Sequence, residues 1–289
     1  NRLDRHLMRG SPYISRLQAG LRKPKDSVLG ADVAGKVEAV GEHVTKVQPG
    51  DDVFGSLFGY GFGAFAEYVS VSDDLLELKP ANLSFEEAAA APVAALTALQ
   101  ALRDKGALRK GQRVLVNGAS GGVGTFAVKL AKALGAGHVT AVCSTRNVER
   151  ARSLGADRVV DYTREDYTRS EERFDLIIDV AGSHSWRENK RVLVPGGTLV
   201  LAGAPTGNRL TGPLGRIARL WLTSRVGSRR LIFFVCKPNR ADLAVLRELI
   251  EAEQVHPVVD RVYPLAEIAD ALEAMGGGHT QGKLVVRID

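Results

Sequence analysis

A cluster of small residues between an apolar run and a helical pattern is the part of this sequence best suited to bind a ligand. The cluster reads GASGGVG, residues 118–124; it follows RVLVN and precedes TFAVKLAKAL. Aligned on G-x-G-x-x-G, Ala119 permits a tight turn, Gly121 lets the backbone approach a pyrophosphate, and Gly124 lets the helix pack closely on the strand. The N-terminus of the helix then attracts phosphate. The alternative is a turn with a purely structural role. The residues predicted to contact a dinucleotide here are Ser120, Gly121, Gly122 and Val123.

A second polar group follows about 20 residues later, where dinucleotide folds bind the adenosine ribose. An acid at this place binds the 2′-OH of NAD, whereas an arginine accommodates the 2′-phosphate of NADP. The sequence reads CSTRN here and contains no acid. Hydroxyls and a guanidinium can both donate to phosphate oxygens, so we predict NADPH as the cofactor, bound by Ser144, Thr145 and Arg146. The alternative is that Arg146 and the nearby Arg150 only face solvent.

Further candidate contacts lie at the ends of the later apolar runs. In open parallel sheets, ligands bind beyond the carboxyl ends of the strands. Tyr162 is predicted to pack near the adenosine phosphate, and main-chain groups of residues 233–235 are predicted to line the nicotinamide pocket. The full set of strand-end residues is Tyr162, Val180, Ala181, Ala202, Gly203, Phe233, Phe234 and Val235.

The elements that must position these residues alternate between strand and helix. From residue 111 onward, helical patterns separate the apolar runs RVLVN, HVTAV, RVVDY, DLIIDVA, TLVLAG and LIFFV. The helix over WRENKRVL is predicted to stop at Gly196-Gly197. Near-continuous apolar strands between helices indicate a parallel sheet covered on both faces. Six of them predict an α/β fold with a doubly wound Rossmann sheet.

The rest of the chain predicts a second, β-rich domain. Residues 26–80 show short alternating apolar runs cut by Gly, Pro and Asp. Residues 84–102 open with a Ser-x-x-Glu capping box and continue as a helix-forming, alanine-rich run. The tail, with two helices and two β segments, is expected to pack back onto the N-terminal part. We therefore predict domain boundaries that give residues 1–83 and 238–289 to the β-rich domain and 84–237 to the nucleotide-binding domain.

Composition narrows the classes of partner. The 289-residue chain has a net charge of +6, two cysteines and no apolar run near the length of a membrane span. Two cysteines give neither a disulfide framework nor a four-cysteine zinc site, and we expect a cytoplasmic protein. No nucleic-acid-binding signature is present. The basic segment 216–230 is interpreted as a lid or an interface, with a membrane-surface helix as the less favoured alternative.

Several stretches together resemble the medium-chain dehydrogenase/reductase superfamily, in its zinc-free quinone oxidoreductase (ζ-crystallin-like) branch. These stretches are GADVAGKVEAVG, VQPGDDVFG, GAFAEYV, APVAALTAL, VLVNGASGGVG and GKLVVRI. The resemblance implies a GroES-like catalytic domain, a Rossmann domain, a homodimer and a chain truncated at its N-terminus. It places Thr97 beside the nicotinamide and adds Gly282 and Lys283 as contacts from the tail.

The resemblance also gives the positions where zinc-dependent members bind their metal. The two cysteines and the histidine of that site fall on Asn1, Val93 and Ala31, none of which is a zinc ligand of the required type. The hydroxyl that relays protons in alcohol dehydrogenases falls on Leu3. The chain is therefore expected to act without a metal.

Without a metal, the expected substrate is one whose own conjugated structure makes it accept a hydride. A small apolar quinone or α,β-unsaturated carbonyl accepts hydride at a conjugated carbon, and the enzyme stabilises the resulting oxyanion. Asn1 and Tyr60 are the candidate donors to that oxygen, although either residue can also have a structural role. The alternatives are a zinc-type alcohol dehydrogenase and an NADPH-binding protein without catalytic activity.

Overall fold

The computed structural model describes residues 1–9, 28–202, 228–277 and 280–288. These residues form two compact units. The β-rich unit comprises residues 1–9, 28–96 and the tail from 236, and the nucleotide unit comprises residues 97–202 and 228–235. The division by contacts thus falls at 96/97 and 235/236, whereas the sequence pattern placed the boundaries at 83/84 and 237/238. Gly203 and most of the basic segment 216–230 lie outside the described residues.

The nucleotide unit contains the predicted six-stranded sheet. Its strands are β4 (Arg113–Asn117), β5 (His138–Cys143), β6 (Arg158–Asp161), β7 (Phe174–Asp179), β8 (Leu193–Leu201) and β9 (Arg230–Phe233). All neighbours pair in parallel, in the order β6-β5-β4-β7-β8-β9. Numbered within the sheet, this is the 3-2-1-4-5-6 order of the doubly wound dinucleotide fold. The predicted fold class is confirmed.

Between the strands, the described residues form the helices α4 (Gly122–Ala133), α5 (Val148–Ser153) and α6 (Trp186–Val192). The strands are mostly apolar between their ends because both faces of the sheet are covered; Leu115, Ile177 and Leu199 are almost fully buried in one cluster. α4 packs close to β4, since a Cβ on Gly124 would lie 2.1 Å from the Gly118 carbonyl oxygen. Glycine at position 124 is therefore required by packing within the protein.

The β-rich unit holds two small sheets. β1 (Asp32–Lys36), β2 (Asp52–Ser56) and β3 (Leu76–Leu78) form an antiparallel sheet, and β10 (Val259–Pro264) pairs in parallel with β11 (Lys283–Arg287). The helices are α1 (Arg2–Arg9), α2 (Phe85–Ala90), α7 (Arg240–Glu251) and α8 (Ile268–Gly276), and α3 (Pro92–Gln100) runs from residue 92 across the boundary of the units.

The tail packs onto the N-terminal part, as predicted. Arg240 on α7 forms an ion pair with the buried Glu77 of β3 at 2.9 Å. The Asn82 side-chain amide donates to the Ile250 carbonyl at 2.9 Å. The C-terminal residues therefore complete the unit that the N-terminal strands begin.

Two local features differ from the sequence pattern. The alanine-rich segment forms two helices and a π-helical turn (Ala101–Lys105), because Pro92 lacks the N–H that would continue α2 and instead begins α3. Gly196-Gly197 does not end a helix: α6 ends at Val192, and the glycines lie within β8, whose pairing with β7 shifts register before Thr198.

Candidate functional site

The turn between β4 and α4 has the backbone geometry that a pyrophosphate needs. Gly118 has φ +90°, and Ala119 donates from its N–H to the Val142 carbonyl at 3.0 Å. A Cβ built on Gly121 would meet only the Gly118 carbonyl oxygen, at 3.8 Å, among the described residues. Packing within the protein therefore does not require glycine at position 121, and the space that a side chain would fill is available to a ligand.

Helix α4 begins at this turn and presents unpaired backbone donors. Gly121 is its N-cap residue, and the helix runs for 12 residues. The N–H groups of the first turn, which include those of Gly122 and Val123, have no acceptor within a helix. Together with the helix dipole they attract an anion. The four residues predicted from the turn are thus brought together where they fit the phosphates of a dinucleotide.

The crevice where the strand order reverses lies between β4 and β7, and a buried carboxylate organises it. Asp179 Oδ1 accepts from Asn117 Nδ2 at 2.8 Å and from the Gly182 N–H at 2.7 Å. Val180 donates from its N–H to the Asn117 carbonyl at 2.9 Å. These bonds fix the backbone of Val180 and Ala181, two predicted contacts. Sequence reasoning missed Asn117; the signal was a polar residue ending an apolar strand.

The predicted ribose-binding group at residues 144–146 lies beside an acid. β5 pairs with β6 so that Cys143 is opposite Asp161. Asp161 Oδ2 accepts from the Thr145 hydroxyl at 2.6 Å, and this hydrogen bond lowers the pKa of Asp161. The sequence shows no acid at the end of β5, but the sheet brings one from the end of β6. Arg146 is exposed, as a residue that binds an incoming phosphate must be.

The other predicted cofactor residues occupy varied environments. Tyr162 is 61% exposed, beside the end of β5, where its N–H donates to the Cys143 carbonyl. Thr97 is buried on α3. Ala202 donates from its N–H to the Asp179 carbonyl at 3.0 Å. Phe233 and Val235 are exposed at the end of β9, and Phe234 lies between them half-buried.

A separate polar cluster lies in the β-rich unit. Lys283 Nζ contacts Asp32 Oδ2 at 2.8 Å and Asn1 Oδ1 at 2.7 Å. Asn1 Nδ2 donates to the same Asp32 oxygen at 3.0 Å. The second oxygen, Oδ1, accepts from the Val93 N–H at 2.8 Å, near the start of α3. We call Asn1, Asp32 and Lys283 the lysine cluster.

The lysine cluster is almost closed to solvent. The side chains of Lys283 and Asp32 are each 8% exposed. A cavity of about 60 Å³ adjoins them and is lined by Phe65, Leu272 and Met275, among other residues. Lys283, predicted to reach the cofactor, thus directs its ammonium group to Asp32 and Asn1. Tyr60 does not line this cavity; it lies on a turn after β2 and is 67% exposed.

Two family models match the chain. The model described as an alcohol dehydrogenase GroES-like domain matches residues 1–81, and the one described as a zinc-binding dehydrogenase matches residues 154–286. The mitochondrial NAD(P)H oxidoreductase RTN4IP1 of Mus musculus is 37% identical, over 90% of this chain and 70% of that protein. The chain belongs to the medium-chain dehydrogenase/reductase superfamily, in its quinone oxidoreductase branch.

Other members of this superfamily agree with the assignment. A chloroplastic quinone-oxidoreductase homolog of Spinacia oleracea is 31% identical, over 96% of this chain and 86% of that protein. The solved structure of the quinone oxidoreductase from Coxiella burnetii has a TM-score of 0.85 at 30% identity and covers 100% of this chain and 87% of its own. The predicted resemblance and enzyme class are confirmed: this medium-chain reductase is an NAD(P)H-dependent oxidoreductase. Its nicotinamide cofactor fits the open glycine turn at Gly121.

The positions that hold zinc in other medium-chain dehydrogenases carry a different chemistry here. Two of them are the side chains of Ala31 and Val93, which have no donor atom, and the third is the Asn1 amide, already bonded to Asp32 and Lys283. Zinc takes thiolate, imidazole or carboxylate ligands, so this donor set does not fit the ion. Within the described ranges, no group of three or more His, Cys, Asp or Glu residues is arranged to hold a metal.

Proposed function

We propose that this chain transfers hydride from NADPH to a quinone or an α,β-unsaturated carbonyl, without a metal ion. The observation that carries the proposal is the lysine cluster. A zinc alcohol dehydrogenase needs its metal to polarise the alcohol oxygen, whereas here the first ligand position holds an asparagine amide bonded to a buried lysine–aspartate pair. Such a site suits a substrate that needs no Lewis acid.

Conjugated acceptors meet this requirement. Bound NADPH supplies a hydride, and a quinone or enone takes it at carbon while negative charge moves to a distant oxygen. Donors aimed at that oxygen then suffice for stabilisation. Two relatives support this substrate class: one is a 2-methylene-furan-3-one reductase of Solanum lycopersicum, 36% identical, and the other an NADPH-dependent alkenal/one oxidoreductase of Arabidopsis thaliana, 34% identical.

Asn1 and Tyr60 remain our candidates for those donors. The Asn1 side-chain amide has two hydrogens, and Asp32 accepts one of them, which leaves the second for a substrate oxygen. The Tyr60 phenol is exposed on its turn and meets the requirement for access. Asp32 and Lys283 act on Asn1, since they hold its amide in one orientation.

The preference for NADPH is supported by the group at the end of β5. Arg146 is exposed and follows Ser144, and a guanidinium binds phosphate more strongly than it binds a hydroxyl. The proposed contacts to the rest of the cofactor are those at the glycine turn and the strand ends.

Steady-state kinetics test the proposal. NADPH oxidation is followed at 340 nm with a panel of quinones and enones. The reverse reaction, reduction of NADP⁺ by primary alcohols, is followed at the same wavelength. Each assay is run with and without a chelator. We expect turnover of the conjugated acceptors that the chelator leaves unchanged, and no turnover of alcohols. Alcohol oxidation that the chelator abolishes would support the zinc-type alternative, and tight NADPH binding without any turnover would support a non-catalytic protein.

We also propose that the protein forms a homodimer and contacts neither nucleic acid nor membrane. Among the described residues, β9 is at one end of the six-stranded sheet, with Phe233 exposed on it, and a strand at the end of a sheet favours pairing with a second copy. No helix in the described part of the chain is both long and apolar enough to cross a bilayer. Two of the relatives are named as mitochondrial or chloroplastic, so the cytoplasmic location stays a prediction. The homodimer is tested by sedimentation equilibrium, which reports the mass of the assembly.

A further inference from the structure

Two threonine hydroxyls and one carboxylate form a closed triangle at the carboxyl ends of β5 and β6. The Thr145 hydroxyl lies 2.6 Å from Asp161 Oδ2, and the Thr163 hydroxyl lies 2.8 Å from Asp161 Oδ1. The two hydroxyl oxygens are 2.9 Å apart. The Thr163 N–H also donates to Asp161 Oδ1, at 3.0 Å.

The number of available protons determines which atoms of this triangle donate hydrogen bonds and which accept them. Each hydroxyl has one proton, and an ionised carboxylate has none, so two protons serve three contacts. The pKa of Asp161 is lowered, first by the Thr145 hydrogen bond, which keeps the carboxylate ionised at neutral pH. The 2.6 Å contact has the length of an O–H···O⁻ hydrogen bond, so the Thr145 proton points at Asp161. Toward a ligand, the Thr145 hydroxyl therefore offers only lone pairs.

The neighbouring Ser144 hydroxyl, unlike that of Thr145, can donate a hydrogen bond to a ligand. Asn147 Nδ2 donates to the Ser144 hydroxyl oxygen at 3.1 Å, which leaves the Ser144 proton available to a ligand. The site at the end of β5 thus combines two donors, Ser144 and Arg146, with one acceptor, Thr145, backed by a negative charge.

We propose that Asp161 is a specificity-determining residue that weakens the discrimination between NADPH and NADH. A ribose 2′-OH can donate to the lone pairs of Thr145, whereas a 2′-phosphate brings only acceptor oxygens and up to two negative charges of its own. Selection for the phosphate rests on Arg146 and Ser144, and Asp161 opposes it. The protein therefore accepts both cofactors. This inference rests on the proposed binding of the adenosine ribose at residues 144–146.

The test is equilibrium binding, which needs no turnover. Dissociation constants for NADPH and NADH are measured by calorimetry for the wild type, Asp161→Asn and Arg146→Ala. In Asp161→Asn the negative charge is lost and the new amide donates to one threonine, which frees a hydroxyl proton. We expect the preference for NADPH over NADH to rise roughly three- to tenfold, as removal of one unit charge near a phosphate in water would give. Arg146→Ala should lower that preference roughly tenfold.

Asp166→Asn is the matched control. Asp166 accepts from the N–H and hydroxyl of Thr168, at 2.9 Å and 2.8 Å, as Asp161 does from Thr163, but it follows β6 by five residues and does not contact Thr145. We expect this variant to leave the ratio of the two dissociation constants unchanged. Melting curves show whether each variant is folded.

A second variant covers the case in which Asp161→Asn does not fold. Thr145→Val removes the acceptor, so NADH should bind more weakly while NADPH binding changes little. An unchanged or lowered NADPH preference in Asp161→Asn, or equal losses for both cofactors in Thr145→Val, would overturn the inference. The proposed function would survive that result, since NADPH would still bind; failure of NADPH to bind the wild type would overturn the function instead.

Discussion

At the scale of single residues, the described part of the chain contains one ion pair whose partners are both almost inaccessible to solvent. Lys283 and Asp32 are each 8% exposed and share Asn1 as a third partner. Removing one member of a buried pair leaves the other charge without compensation, which costs far more than the loss of an exposed pair. Sequence reasoning expected Asn1 and Lys283 to face ligands separately, because nothing local shows that positions 1, 32 and 283 meet.

Lys283→Met tests whether breaking the buried ion pair is costly. We expect the free energy of unfolding to fall by about 3–5 kcal/mol, because the Asp32 carboxylate stays buried without its cation. Lys36→Met is the control: Lys36 lies on the same strand as Asp32 and pairs with Asp52, but its side chain is 63% exposed. That change should cost at most about 1 kcal/mol. Urea unfolding measures both, and equal losses would show that the lysine cluster is not a special case.

At the scale of elements, the short-range signals in the sequence were the reliable ones. The capping box of Ser84 and Glu87 is present in full, and both the polar end of β4 and the glycine turn that follows are where the pattern placed them. The sequence signals were unreliable where the outcome depends on more than the neighbouring residues. Pro92 divides the alanine-rich helical run, and Gly196-Gly197 lie in β8 at the place where its pairing with β7 shifts register.

The Ser84 cap gives a quantitative prediction for an element. The Ser84 hydroxyl accepts from the Glu87 N–H at 3.2 Å, so Ser84→Ala should lower the free energy of unfolding by about 1 kcal/mol. Ser72 is a matched control, since it occupies the N-cap of a 3₁₀ turn without a side-chain hydrogen bond. Its replacement by Ala should leave stability within about 0.5 kcal/mol of the wild type. Thermal unfolding compares the two variants, and a larger loss at Ser72 would contradict the assignment.

The carboxylate half of the box gives a pH dependence. The pKa of Glu87 is lowered, first by the hydrogen bond from the Ser84 N–H. A carboxyl with a depressed pKa in the folded state stabilises above its unfolded pKa of about 4.3, and that stabilisation is lost as the pH falls through the folded value. Wild type should therefore be more stable than Glu87→Gln at pH 7, with the difference shrinking below pH 4. A difference that is constant from pH 7 to pH 3 would contradict this.

At the scale of the whole molecule, the architecture follows from the sequence, and the details of the sites only in part. Six apolar strands alternating with helices predicted the doubly wound parallel sheet that the structure contains. The acid beside Thr145 could not be predicted in the same way. Asp161 follows Thr145 by 16 residues and reaches it through the register of β5 with β6, which no local pattern encodes. The lysine cluster could not be predicted from a local pattern either, because its three residues lie far apart in the sequence.

The central claim for the molecule is direct hydride transfer from NADPH to a conjugated carbon without metal assistance. NADPH with both C4 hydrogens of the nicotinamide replaced by deuterium is mixed with an enone and protein that has been dialysed against a chelator and shown to be metal-free. The account predicts deuterium at the β-carbon of the reduced product, at the rate of the untreated protein. Absence of deuterium from that carbon, or activity that returns only when zinc is added, would contradict it.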